Sequence, residues 1–197
     1  MLNKRMLGFL KKWVLMLLSV FALASCGSHA VMDKSGQDMI NSSGVYTLVN
    51  LHPDMARSRL YAVNYQMPGL IPLCTEVTLL KASKKVMKFK VNSTGQQFSY
   101  LYHRAAGEPL ASHLSHFFGR KCNTKKVKGM SAVDQKGIKK GIPLKGMSRD
   151  GVVLAMGIPP RHKTPDLNAS TWKYWKNRFD TMDVVFGGNG LVSKIVD

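Results

Sequence analysis

The sequence predicts an α+β protein: a small N-terminal antiparallel β barrel or sandwich, then a C-terminal module of a helix and an antiparallel sheet. Three observations predict it. Between Val45 and Tyr102, short β-rich runs alternate apolar and polar residues. Turn signals separate them at intervals of roughly 8–12 residues. From Gly146 on, a capped helix pattern precedes strand patterns joined by Gly187-Gly188-Asn189-Gly190. Hydrophobic residues make up 45% of the 197, a globular rather than a disordered composition. The length allows one ordinary domain or two small ones.

The chain begins with a basic segment, Lys4, Arg5, Lys11 and Lys12, followed by an apolar run from Trp13 to Leu23 broken only by Ser19. That run suits the ~7–15-residue core of a secretory signal peptide. It is shorter than the ~20 residues of a membrane-spanning helix. It ends on Leu23-Ala24-Ser25-Cys26, which resembles the lipobox of bacterial lipoprotein precursors. The resemblance implies cleavage after Ser25, a diacylglyceryl unit on the Cys26 thiol, and acylation (palmitate) of the new amino terminus. Several chains together anchor a protein durably, where one binds only marginally. In enteric-type sorting an Asp after the Cys favours the inner membrane. Gly27 and Ser28 stand there instead, so the resemblance implies the periplasmic face of the outer membrane.

Residues 1–25 thus read as the signal peptide. Residues 26–44 read as the lipidated Cys and a flexible tether rich in Ser, Gly and Asp. Strands are expected at Val45–Leu51, Leu60–Tyr65, Leu73–Leu80, Met87–Val91 and Phe98–Tyr102, with a turn at Asn92-Ser93-Thr94-Gly95. Gly69-Leu70-Ile71-Pro72-Leu73-Cys74-Thr75-Glu76-Val77 resembles the opening strand of SH3-like barrels, with Cys74 where those usually carry Gly. Glu108–Phe118 is expected as a helix, with Pro109 in its first turn, Leu110, Leu114, Phe117 and Phe118 as an apolar stripe, and Gly119 as terminator. Residues 45–119 form the expected β-rich domain. Residues 120–145 carry nine Lys/Arg and one acid, Asp134, and read as an exposed, irregular, basic connection.

In the last third, Ser148 suits an N-cap, Val152, Ala155 and Met156 share a face, Gly157 ends the helix, and Pro159-Pro160 prevent its continuation. Strands follow from Trp172, over Thr181–Phe186, and over Leu191–Ile195. Gly146, Met147, Ser148, Val152, Met156, Gly157 and Pro159, then Trp172 and Tyr174, then Val185, Phe186, Gly190 and Val192, match the order of the SmpA/OmlA (BamE-like) lipoprotein domain. The resemblance covers residues 129–197, and residues 146–197 are expected to form the module. It implies a role in holding or modulating an envelope protein complex, like the small lipoprotein of the β-barrel assembly machine. Two features depart from that pattern: the long β-rich part in front, and the insert Pro160–Pro165. Trp172 and Tyr174 are expected in the core. Trp175 points to the opposite face of a regular strand. With Lys173, Lys176 and Arg178 it forms the candidate partner-binding face.

The formal charge is +18, of which the four basic residues before Cys26 contribute four, leaving +14. Such charge points to an acidic partner. A signal peptide argues against nucleic acid. It leaves outer-membrane or periplasmic proteins, anionic lipid, peptidoglycan or another anionic polymer. With Cys26 lipidated, Cys74 and Cys122 remain in an oxidising compartment. There they form either a disulfide or two separate thiols, and the compartment favours the pair. His113 and His116 lie i, i+3 on the expected helix with His103 nearby, but no third and fourth ligand is spaced to complete a zinc site. His162 reads as a loop hydrogen-bonder. A Cys74/His103 nucleophile pair, the basis of a Cys-dependent envelope hydrolase, competes with the disulfide. No acid pair, G-x-S-x-G, H-E-x-x-H or P-loop occurs. The expectation is a non-enzyme without metal or cofactor.

Overall fold

The computed structural model describes residues 28–122 and 124–197. The signal-peptide and Cys26 expectations lie outside the described residues. Among the described residues no helix is long and apolar enough to cross a membrane.

The fold is α+β. Val45–Thr47 (β1), Arg59–Tyr61 (β2), Glu76–Ala82 (β3), Val86–Val91 (β4), Gln97–Leu101 (β5) and Phe118–Gly119 (β6) form one curled sheet in the order β2-β5-β4-β3-β1-β6. Period-2 patterning drives it: Val77 and Leu79, Met87, Phe89 and Val91, Phe98 and Tyr100 face inward and are buried. Phe89 stacks on Phe98 at 5.5 Å and meets the edge of Phe118 at 5.3 Å. The sheet is mixed rather than the antiparallel barrel or sandwich expected. β2 runs parallel to β5, because the loop before β2 enters alongside β5 and Ser99 N–H donates to Ser58 C=O at 2.9 Å. β1 and β2 are also shorter than expected, since the chain leaves the ladder at Leu48 and again at Ala62.

Three further expectations are corrected. The first is the tether. Residues 28–44 do not hang free, because Val31 and Met39 insert into the core of the sheet. Ile40 bridges Leu79, and the carboxylates of Asp33 and Asp38 fold the turn between the two apolar anchors. Arg120 then clamps the segment, donating to Asp33 at 2.9 Å and to Asp38 C=O at 2.8 Å. Bonds from Ser35 and from the Gln37 N–H hold the Asp33 carboxyl down at about 2.

The second is the helix over Glu108–Phe118. It shrinks to Leu110–Leu114 (α1) with Pro109 as N-cap. Phe117 and Phe118 are both buried, which one helical face at that point would not accommodate. Phe118–Gly119 instead pairs with β1.

The third is the basic connection. It folds into two helices, Thr124–Lys128 (α2) and Ala132–Lys140 (α3). Ser131 caps α3 by accepting from Asp134 N–H at 3.1 Å, and its hydroxyl donates to Asp134 Oδ2 at 2.8 Å. Gly141 closes α3 at φ +67°, a left-handed position suited to glycine. Lysines cover the outer face of α3 while Asp134, Gly137 and Ile138 are buried.

The C-terminal module has the expected order. Ser148 caps Arg149–Met156 (α4) by accepting from Gly151 N–H at 3.0 Å. Thr171–Trp175 (β7), Thr181–Phe186 (β8) and Val192–Val196 (β9) form an antiparallel meander, β7-β8-β9. Val152, Ala155 and Met156 pack on Trp172, Tyr174, Val184 and Phe186. Arg149 lies 4.3 Å above the Phe186 ring, itself 4.7 Å from Trp172.

Candidate functional site

The two halves meet at a buried polar seam. Helix α4 ends with carbonyls that have no partner within the helix. Side chains of the N-terminal half supply them. Asn50 Nδ2 donates to Ala155 C=O at 3.2 Å and to Ile138 C=O at 2.7 Å, while its Oδ1 accepts from Leu73 N–H at 2.8 Å. His52 Nε2 donates to Ala155 C=O at 3.0 Å. Asn64 Nδ2 donates to the carbonyls of Met156 and Ile158 at 2.8 and 2.9 Å. Four backbone carbonyls from α3, α4 and the segment just after α4 thus accept from side chains 88 or more residues away in sequence. Val153 and Leu154 pack against both cores. Burial pushes the His52 imidazole below its ordinary value, so the neutral ring is the stable one.

A second network lies under α1. Glu108 Oε1 accepts from His113 Nδ1 at 3.1 Å, and Tyr100 donates its hydroxyl proton to His113 Nε2 at 2.9 Å. A carboxylate can only accept, which fixes this tautomer. His116 lies 3.5 Å from the other Glu108 oxygen. Burial depresses the His113 pKa and outweighs the opposite pull of Glu108. Burial also drives the Tyr100 phenol well above its usual range. The order Tyr–His–Glu has the form of a nucleophile–base–acid relay, but the oxygen that would attack is buried and firmly protonated. Both ring nitrogens of His113 face protein partners, so it has no lone pair for zinc. A cavity of about 200 Å3 opens beside Glu108 and His116, walled by Pro159, Pro160, Pro165 and Arg161.

The candidate nucleophile pair is not assembled. Cys74 and Cys122 stand as a disulfide with Cα atoms 5.3 Å apart. Cys74 lies before β3, at the Val91 end of the ladder, whereas His103 follows β5 at the Val86 end. His103 Nδ1 accepts from Ala105 N–H. Cys74 also sits at φ +64°, a conformation that favours glycine.

The partner-binding candidates gather at the end of the meander. Trp172 and Tyr174 are core, with Tyr174 hydroxyl donating to Gly157 C=O at 2.9 Å. Trp175 lies on the opposite face and is half-buried. Tyr65 meets its edge at 6.5 Å, and its indole N–H donates to His162 Nε2 at 3.2 Å. His162 Nδ1 donates in turn to Ala105 C=O at 3.0 Å, so the Pro160–Pro165 insert buttresses Trp175 against the N-terminal half. Lys163 lies 5.1 Å over the indole.

Comparison with family models, with curated proteins and with solved structures finds no match.

The three basic candidates differ in their availability. Lys173 is engaged by Asp183 across the strand pair, and Lys176 by Asp180 and Asp197. Arg178 instead lies 4.3 Å over the ring of Phe179. Phe179 is 79% exposed, far beyond any other large apolar side chain described. Its exposure has a local cause. Asn177 Oδ1 accepts from Phe179 N–H and Asp180 N–H, an Asx turn that forces the intervening ring outward. Trp175, Arg178 and Phe179 therefore form an aromatic and cationic edge that can contact a protein surface without opening the core.

Proposed function

We infer that this protein is a non-catalytic lipoprotein of the outer membrane, facing the periplasm, that scaffolds or modulates an envelope protein complex. The observation that carries the reading is Leu23-Ala24-Ser25-Cys26 behind a basic segment and an apolar run. Two further features support it. The capped helix α4 and the β7-β8-β9 meander follow the order of the BamE-like domain. The polar networks near histidines point inward to structural partners, while the exposed edge at Trp175, Arg178 and Phe179 points outward.

Crosslinking the lipidated protein in its own envelope, followed by mass spectrometry, tests the reading. Crosslinks from the β7–β8 turn to β-barrel or periplasmic proteins are expected. Crosslinks no more frequent than those of an unrelated lipoprotein would overturn it.

A further inference from the structure

The described chain starts on the sheet. Ala82 N–H donates to Ser28 Oγ at 2.9 Å, and His29 N–H donates to Ala82 C=O at 2.8 Å. Ala82 ends β3, directly before the turn to β4. Cys26 precedes Ser28 by two residues in the sequence, a link of at most about 8 Å. The described chain therefore begins beside the tip of one particular hairpin, two residues after the Cys that the lipobox reading makes the anchor.

That hairpin is cationic. Lys81, Lys84, Lys85 and Lys88 are exposed, and Lys90 is half-exposed. Lys81 and Lys88 are directly opposite each other across the strand pair. In the same row, Lys88 faces Ser99 and Ser99 faces Arg59, so three cations cross the sheet at one level. Like charges directly opposite destabilise a sheet. None of these six cations has an ion pair among the described residues. Within the hairpin, residues 76–91, the single acid is Glu76, at the far end of β3 from the tip, and Asp54 is committed to Arg57. An arrangement that repels itself and lacks internal compensation is relieved by an external anion.

We propose that the outer face of the β3–β4 hairpin lies on the anionic phospholipid headgroups of the membrane that holds the anchor. The identity of that surface rests on the lipoprotein reading. The anchor and the lysines then act as two linked signals, with the acyl chains holding the protein and the lysines setting its orientation. The Trp175–Phe179 edge belongs to the other sheet and stays available to protein.

The test uses the C26S protein expressed from residue 26, which carries every described residue and no lipid. It is sedimented with neutral phosphatidylcholine vesicles, with vesicles containing phosphatidylglycerol, and with purified sacculi. The hairpin variant K81Q/K84Q/K85Q/K88Q is compared with K125Q/K136Q/K139Q/K145Q, which removes equal charge from α2, α3 and the segment after them. The account expects binding only to anionic vesicles, weakened at least about tenfold by the hairpin changes, less than about twofold by the helix changes, and by added salt. Equal loss in both variants, equal binding to neutral vesicles, or pelleting with sacculi but not vesicles would each overturn it. Thermal unfolding checks that both variants fold. Cys26 acylation is read separately by intact mass, so failure of the lipoprotein reading is distinguishable from failure of the hairpin to bind.

Discussion

The carboxylate of Asp134 accepts both the backbone N–H and the hydroxyl of Ser148, at 2.8 and 3.1 Å. One buried acid on α3 thereby orients the residue that caps α4. Gly151 permits this: a Cβ there would stand 2.0 Å from Asp134 Oδ1. An alanine for glycine within a helix ordinarily stabilises by about 1 kcal/mol. Here Gly151→Ala displaces a buried carboxylate and reverses the sign, with a loss of about 2–4 kcal/mol expected in urea unfolding. Asp134→Ala loses a similar amount.

Joining Cys74 to Cys122 closes a loop with a sequence separation of 48 and ties the start of β3 to the segment before α2. In the chain-entropy model a loop of this size stabilises by about 4 kcal/mol. Reduction, or Cys74→Ala with Cys122→Ala, should lower the urea midpoint accordingly. Native protein should show no thiol at either position by alkylation and peptide mapping.

Acidification should weaken the fold through His52 and His113. Burial depresses both pKa values, so each binds its proton more readily when unfolded. Their stabilisation is fully present above the unfolded value near 6.5 and is lost as pH falls toward their folded values. The urea midpoint should therefore be lower at pH 5.5 than at pH 7.5. The variant His113→Gln should flatten that dependence even where it lowers overall stability.

The strands of the hairpin and meander were legible because alternation survives in short windows, as in Met87–Val91 and Thr181–Phe186. The cap at Ser148 and the core role of Trp172 and Tyr174 were equally legible. What misled was charge. Helix α3 was hidden because its lysines dominate the composition, although Ser131-x-x-Asp134 marks its start. The packed segment over Val31 and Met39 was hidden because two buried residues among polar ones do not form a period. The seam of Asn50, His52 and Asn64 was beyond reading, since each donates to a backbone carbonyl brought in from the far half of the chain.

Phe179 separates stability from docking. Its ring is largely exposed and touches mainly Arg178, so Phe179→Ala should change stability by no more than about 0.5 kcal/mol. The same change should remove most crosslinks between the β7–β8 turn and envelope proteins. Crosslinks that persist unchanged would assign docking to another face.

The central claim is that the chain is held by lipid at Cys26. Intact mass and N-terminal peptide analysis of protein extracted from its own membranes tests it most directly. The account predicts a chain beginning at Cys26 and carrying diacylglyceryl and amide-linked acyl groups. A chain beginning elsewhere, or an unmodified Cys26 thiol, would contradict it.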